Sequence, residues 1–128
     1  MKSMRLPDAE FEIMDVIWDT KPPVTTAMLW EWIGQKRGIK IQTIVTLVGR
    51  LTERGFLRFE RGRRRERDFY PLISRDEYLR METEEFVRQY HKQSYTSLLN
   101  ALQREQMTNE DLDELARWVD DARNNPRR

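Results

Sequence analysis

The sequence contains no cysteine and a single histidine, His91. The first absence excludes disulfide scaffolds, Cys-ligated zinc, iron–sulfur clusters and thiol catalysis. The second leaves little for a nucleophilic triad and no second imidazole for a metal site. Glycine-rich phosphate loops and dinucleotide fingerprints are absent, and no serine sits in a Gly-x-Ser-x-Gly elbow. No apolar run approaches the roughly 20 residues that span a bilayer. The N-terminus carries no signal-peptide stretch, so a cytoplasmic protein without a membrane partner is expected. Composition thus argues against an enzyme, and neither a cofactor nor a metal is expected.

What is present is charge and aromatic mass. Of 128 residues, 35% are charged and 38% hydrophobic, but 10% are aromatic and four of those are Trp. That is too much aromatic surface for a disordered chain. The formal net charge of +1 hides a division. Residues 1–74 hold 14 Lys/Arg against 10 Asp/Glu, whereas residues 75–128 hold 9 against 12. Within residues 36–67 there are 11 basic side chains and three acids, a net of +8. One basic third in a near-neutral chain is the footprint of a surface for a polyanion.

Periodicity predicts a first helix over residues 8–19, opened by Pro7 and striped by Phe11, Met14, Ile17 and Trp18. Thr25 or Thr26 caps a second helix running to about Lys36, with Leu29, Trp30 and Ile33 inward and Gly38 as its stop. A third helix, residues 41–54, puts Ile44, Leu47, Val48 and Leu51 on one face. Gly55 ends it. Residues 56–60 and 67–70 read as a hairpin around an arginine-rich turn. Ser74 and Glu77 form a capping box, with Ile73 and Tyr78 as its staple, for a helix reaching about Gln93. A shorter apolar stretch covers residues 95–102, and Thr108 with Asp111 opens a last helix before a frayed tail at residues 124–128. The expected fold is mainly α with a small β-hairpin wing. It divides into a winged helix-turn-helix DNA-binding domain, residues 1–73, and a helical dimerisation domain, residues 74–128.

The third helix and the hairpin carry the functional expectation. Gln42 can read adenine bidentately; Thr43 and Thr46 can meet base edges and a thymine methyl; Lys40 and Arg50 can reach phosphate or guanine. Such a face also suits an ordinary solvated helix, and the flanking charge tips the balance toward DNA. Arg61, Arg63, Arg64 and Arg65 crowd one turn, where loop tips normally mix signs, so a wing lying along the DNA backbone or minor groove is expected. Trp18, Trp30, Trp32, Phe11, Phe56 and Phe69 are expected in the core rather than as base-stacking platforms. His91 reads as a surface or interface residue. Glu82, Glu84, Glu85, Asp120 and Asp121 read as solvated charge. Leu98, Leu99, Leu102, Leu112 and Leu115 would stay half exposed in a lone chain, which points to pairing with a second copy.

At these residues the chain resembles a known family. The stretch from Asp8 through Phe11, Met14 and Ile17 to Trp18 resembles the opening helix of the penicillinase repressors, the BlaI/MecI family. Ile41-Gln42-Thr43-Ile44-Val45-Thr46-Leu47, continuing through Arg50-Leu51 to Gly55-Phe56-Leu57, resembles that family's recognition helix and its exit into the wing. The junction from Pro71 to Tyr78 and the run Leu99-Asn100-Ala101-Leu102 also fit. The resemblance implies a homodimeric repressor on a palindromic operator of double-stranded DNA, with Gln42, Thr43 and Thr46 facing the bases. It also implies release by a signal-activated protease, because penicillinase repressors are cut at an Asn–Phe bond to which Asn100–Ala101 corresponds. The family often has Ser/Thr-Pro where this chain has Lys40-Ile41. The Cys cluster of related copper-responsive repressors is missing.

A winged helix can also serve as a protein-interaction module without sequence-specific DNA binding. That alternative needs no basic wing, and the +8 of residues 36–67 speaks against it.

Overall fold

A computed structural model describes residues 4–125, so Pro126 to Arg128 of the expected tail lie outside the described residues. The chain divides into two compact units, one running to Glu85 and the other starting at Phe86. The elements of the first unit are α1 (Asp8–Trp18), α2 (Thr26–Leu29), a π-helical turn (Trp30–Gly34), α3 (Gln35–Arg37), α4 (Ile41–Glu53), and the strands β1 (Leu57–Arg61) and β2 (Arg67–Pro71). It also takes in the opening turns of α5 (Arg75–Tyr90). The architecture is mainly α with one antiparallel hairpin, in the order of a winged helix.

One core holds these elements together. Ile13, Met14 and Ile17 of α1 meet Leu29 and Ile33, then Ile44, Val48 and Leu51 of α4, with Phe56, Leu57 and Phe69 closing the hairpin side. The three-and-four spacing of those residues is what makes each segment helical in context, since burial of the stripe outweighs the modest β-branched propensities of α4. The hairpin pairs Arg58 with Tyr70 and Phe59 with Phe69. β1 begins at Leu57 rather than Phe56, because the Phe56 N–H donates back to Leu51 O at the end of α4, at 2.9 Å. Val24 adds a single bridge outside the hairpin: its N–H donates to Phe69 O at 3.1 Å, and the Phe69 N–H returns to Val24 O at 2.8 Å.

Helix two departs from the expected unbroken run. Its middle winds as a π turn, which inserts one extra residue per turn. The turn brings the Trp30 indole N–H to Ile39 O at 2.9 Å, so the ring straps the loop leading into α4. Gly34 is required there: a Cβ would lie 2.6 Å from Trp30 Cδ1 and 3.2 Å from Ile39 O. Gly38, at φ +70, closes the segment in the left-handed region that favours glycine. Trp32, expected in the core, is 38% exposed. Two residues on from Trp30, it cannot share Trp30's inward face.

The start of α5 belongs to the first unit's core. Tyr78 is buried among Phe11, Trp18 and Phe56, at ring separations of 5.7–5.9 Å. Its hydroxyl accepts from the Leu6 N–H at 2.9 Å, and burial raises its pKa. Arg75 donates to Asp15 Oδ1 at 2.5 Å and Asp19 Oδ1 at 2.7 Å; that bond lowers the Asp19 pKa. The Ser74–Glu77 capping box forms as expected, and the Ser74 backbone N–H draws the Glu77 carboxyl below its ordinary range. The Tyr78 and Arg75 contacts cross the sequence boundary drawn at residue 73, and periodicity does not encode them.

The second unit holds the end of α5, α6 (Tyr95–Ala101), a 3-10 turn (Arg104–Gln106) and α7 (Asn109–Asn124). α5 stops at Tyr90 rather than Gln93, because Lys92 and Gln93 both take positive φ. Ser94 caps α6 through the Ser97 N–H, and Thr108 and Asp111 form the second capping box. His91 lies half buried, its Nδ1 2.8 Å from Ser97 Oγ.

Candidate nucleic-acid interface

α4 presents two unlike faces. Ile44, Val48 and Leu51 are buried, Leu47 is half buried, and Gln42, Thr43, Thr46 and Arg50 are all exposed. Lys40 is the N-cap and offers no side-chain oxygen to the first turn. First-turn N–H groups left without a side-chain cap, beside a lysine ammonium, suit an anion such as a phosphate. Thr46 is partly committed, since its hydroxyl donates to Gln42 O at 3.0 Å. Its methyl and its oxygen lone pairs stay available.

The hairpin sorts its arginines by what holds them. The Arg58 guanidinium lies 4.3 Å from the centre of the Tyr70 ring, its cross-strand partner, and also pairs with Glu60 at 2.9 Å. Arg67 lies 4.3 Å over Phe59. Both therefore rigidify the strands by cation–π contact. Arg61, Arg63, Arg64 and Arg65 are exposed and make no ion pair among the described residues. Arg65 sits at φ +66, a position at which a glycine would be unstrained. The turn closes through the Gly62 N–H to Glu66 O at 2.8 Å and the Arg65 N–H to Gly62 O at 3.1 Å. The Glu66 and Asp68 carboxylates lie against Gly62, so the tip is not wholly basic.

Two further basic residues of this third are structural. Arg54 reaches the buried Glu10 at 3.5 Å and Arg5 O at 3.0 Å, tying the end of α4 to α1. Arg37 pairs with Glu12. What remains uncommitted is one helical face and one hairpin tip, which follow each other in the chain through Gly55 at φ +84. Ile41 and Val45, both exposed on α4, were placed on neither face by the sequence, because the outward face was drawn from polar side chains alone.

In the second unit Leu98 is half buried, while Leu99, Leu102, Leu112 and Leu115 are exposed. Leu99 is 60% exposed and Trp118 68%, far above what a helix packed on all its apolar positions leaves open. Trp118 carries the largest aromatic surface of that stripe. Asn100 and Ala101 are exposed in the last turn of the seven-residue α6. Among the described residues there is no cluster of side chains fit to hold a metal, and no helix is long and apolar enough to cross a membrane.

A family profile described as Penicillinase repressor matches residues 6–121. Methicillin resistance regulatory protein MecI of Mammaliicoccus sciuri is 26% identical over 118 residues, covering 89% of this chain and 92% of that protein. The penicillinase repressor of Bacillus licheniformis is 26% identical over 124 residues, covering 96% and 95%. Among solved structures, Streptococcus pneumoniae FabT in complex with DNA superposes with a TM-score of 0.45 at 17% identity, over 91% of this chain and 77% of that one.

Proposed function

Because the chain belongs to the penicillinase repressor family, and is a winged-helix transcriptional repressor, we propose that it acts as a homodimer on a palindromic operator. The observation that carries this reading is the pairing of an exposed, short-chained polar face on α4 with four unpaired arginines at the hairpin tip. Gln42, Thr43 and Thr46 read base edges in the major groove. Lys40 and Arg50 grip phosphate beside them, and Arg61, Arg63, Arg64 and Arg65 lie along the backbone or in the adjoining minor groove. No bond is made or broken; bound protein simply occludes the promoter.

Residues 1–73, extended through Tyr78, form the DNA-binding module, and the helices beyond it pair two copies. Leu99, Leu102, Leu112 and Leu115, with Leu98 beneath, are the contact we assign to that pairing, and the exposed Trp118 supports it. A signal-activated protease cutting Asn100–Ala101 would sever α6 from α7 and separate the copies. Exposure of that bond in a short helix favours the route, since a single turn must open for a protease to enter.

Repeated selection of the full chain against a random-sequence duplex library tests the reading. Enrichment of related sequences carrying a two-fold repeat is expected. A library that returns unenriched, or single half-sites without a repeat, would remove respectively the sequence-specific or the dimeric part of the proposal.

A further inference from the structure

α4 carries an outward patch that internal packing does not explain. Val45 is 43% exposed, on the opposite flank of the helix from Leu47. On a helix its neighbours at three and four residues are Ile41, Gln42, Val48 and Gly49, of which only Val48 is buried, and Thr46 lies within a turn of both Gln42 and Gly49. Gly49 has ordinary helical geometry, and a Cβ built on it would meet nothing within 4 Å. Neither backbone conformation nor crowding in the free chain requires glycine there, although glycine weakens a helix interior. The Thr46 hydroxyl proton is spent on Gln42 O at 3.0 Å, which leaves a methyl and an acceptor oxygen facing out. The surface of Val45, the Thr46 methyl and Gly49 is thus low in relief and partly apolar; Lys40 precedes the helix, Arg50 lies one turn beyond Thr46, and the exposed Glu53 lies one turn beyond Gly49.

The net +8 of residues 36–67 selects a polyanion, and an apolar floor selects one that offers methyl groups. Duplex DNA meets both conditions through the thymine 5-methyl in its major groove; uracil lacks that methyl, and the deep groove of duplex RNA does not admit a helix. We propose that Val45, together with the Thr46 methyl, reads thymine 5-methyl groups, and that Gly49 lets α4 approach the base edges closely. This deepens the operator-binding reading and rests on it.

The test uses the full chain and a duplex enriched from the random library, made once with thymine and once with deoxyuridine throughout. Wild-type protein is expected to bind the deoxyuridine copy about fourfold more weakly for each buried methyl lost, the factor to which ~0.8 kcal/mol corresponds. Val45→Ala should bind the thymine duplex several-fold more weakly and discriminate less between the two copies. Equal wild-type affinity for both copies would overturn the thymine assignment while leaving operator binding intact; a thymine preference undiminished in Val45→Ala would remove Val45 from it. Failure of the library to enrich would instead strike the function itself. Gly49→Ala gives an independent readout with opposite signs, a higher Tm for the free protein and a weaker complex with the enriched duplex. A Tm that does not rise, or an affinity that does not fall, would overturn the close approach.

Discussion

Changing Arg63, Arg64 and Arg65 together to Ala is expected to weaken binding to operator and random duplex alike, by about 100-fold at roughly 0.15 M salt if all three touch phosphate. Each phosphate contact contributes about 0.9 to the log–log salt slope, which between about 0.15 M and 1 M amounts to about fivefold per contact. Three of them give the expected loss. The slope itself should fall in magnitude by about 2.7. Folding should be nearly unaffected, because none of the three is ion-paired and Ala keeps the Cβ that already makes position 65 strained at positive φ. A salt titration followed by fluorescence anisotropy measures both quantities. An unchanged slope in a folded triple variant would mean that the wing is a solvated tip.

Removing the second unit should produce the other large effect. A fragment of residues 1–85 keeps the first core, including Tyr78 and the Arg75 bonds to Asp15 and Asp19, so it should fold and sediment as a monomer. Its affinity for the two-fold operator should drop by roughly 10² to 10⁴, because the second half-site is no longer bound intramolecularly. Its affinity for a single half-site should match that of one copy in the full chain. A shorter fragment, residues 1–73, should fold poorly, since it leaves Phe11, Trp18 and Phe56 without the ring that packs among them. Sedimentation of the full chain as a monomer at micromolar concentration, or a 1–85 fragment that binds the whole operator as tightly as the full chain, would contradict pairing through α6 and α7.

Local patterns in the sequence carried most of the fold. The apolar stripes of α1 and α4 need no knowledge of their partners, and the Ser74 and Thr108 boxes are satisfied within three residues. What escaped was non-local. Val24 bridges Phe69 across 45 positions of chain, and a single residue between two prolines and the Thr25 helix cap carries no strand periodicity. The π turn depends on where the Trp30 indole finds an acceptor, at Ile39 O, which helical spacing does not encode. Tyr78 was recognised as one half of a staple, yet its larger role is among aromatic rings from α1 and the hairpin side. At the candidate interface the exposed residues of α4 and the crowded arginines were legible from type and spacing. The separation of Arg54, Arg58 and Arg67 from the uncommitted arginines was not, because it depends on Glu10, Tyr70 and Phe59.

The central claim is that this chain discriminates one duplex sequence from others, and a competition titration tests it most directly. Full-length protein is held near physiological salt with the enriched duplex labelled, and a scrambled duplex of the same base composition is added as competitor. A preference of at least about 10³ for the enriched sequence is expected, the lower end for specific over nonspecific DNA binding. A ratio near one, with the salt slope of a purely electrostatic complex, would contradict it.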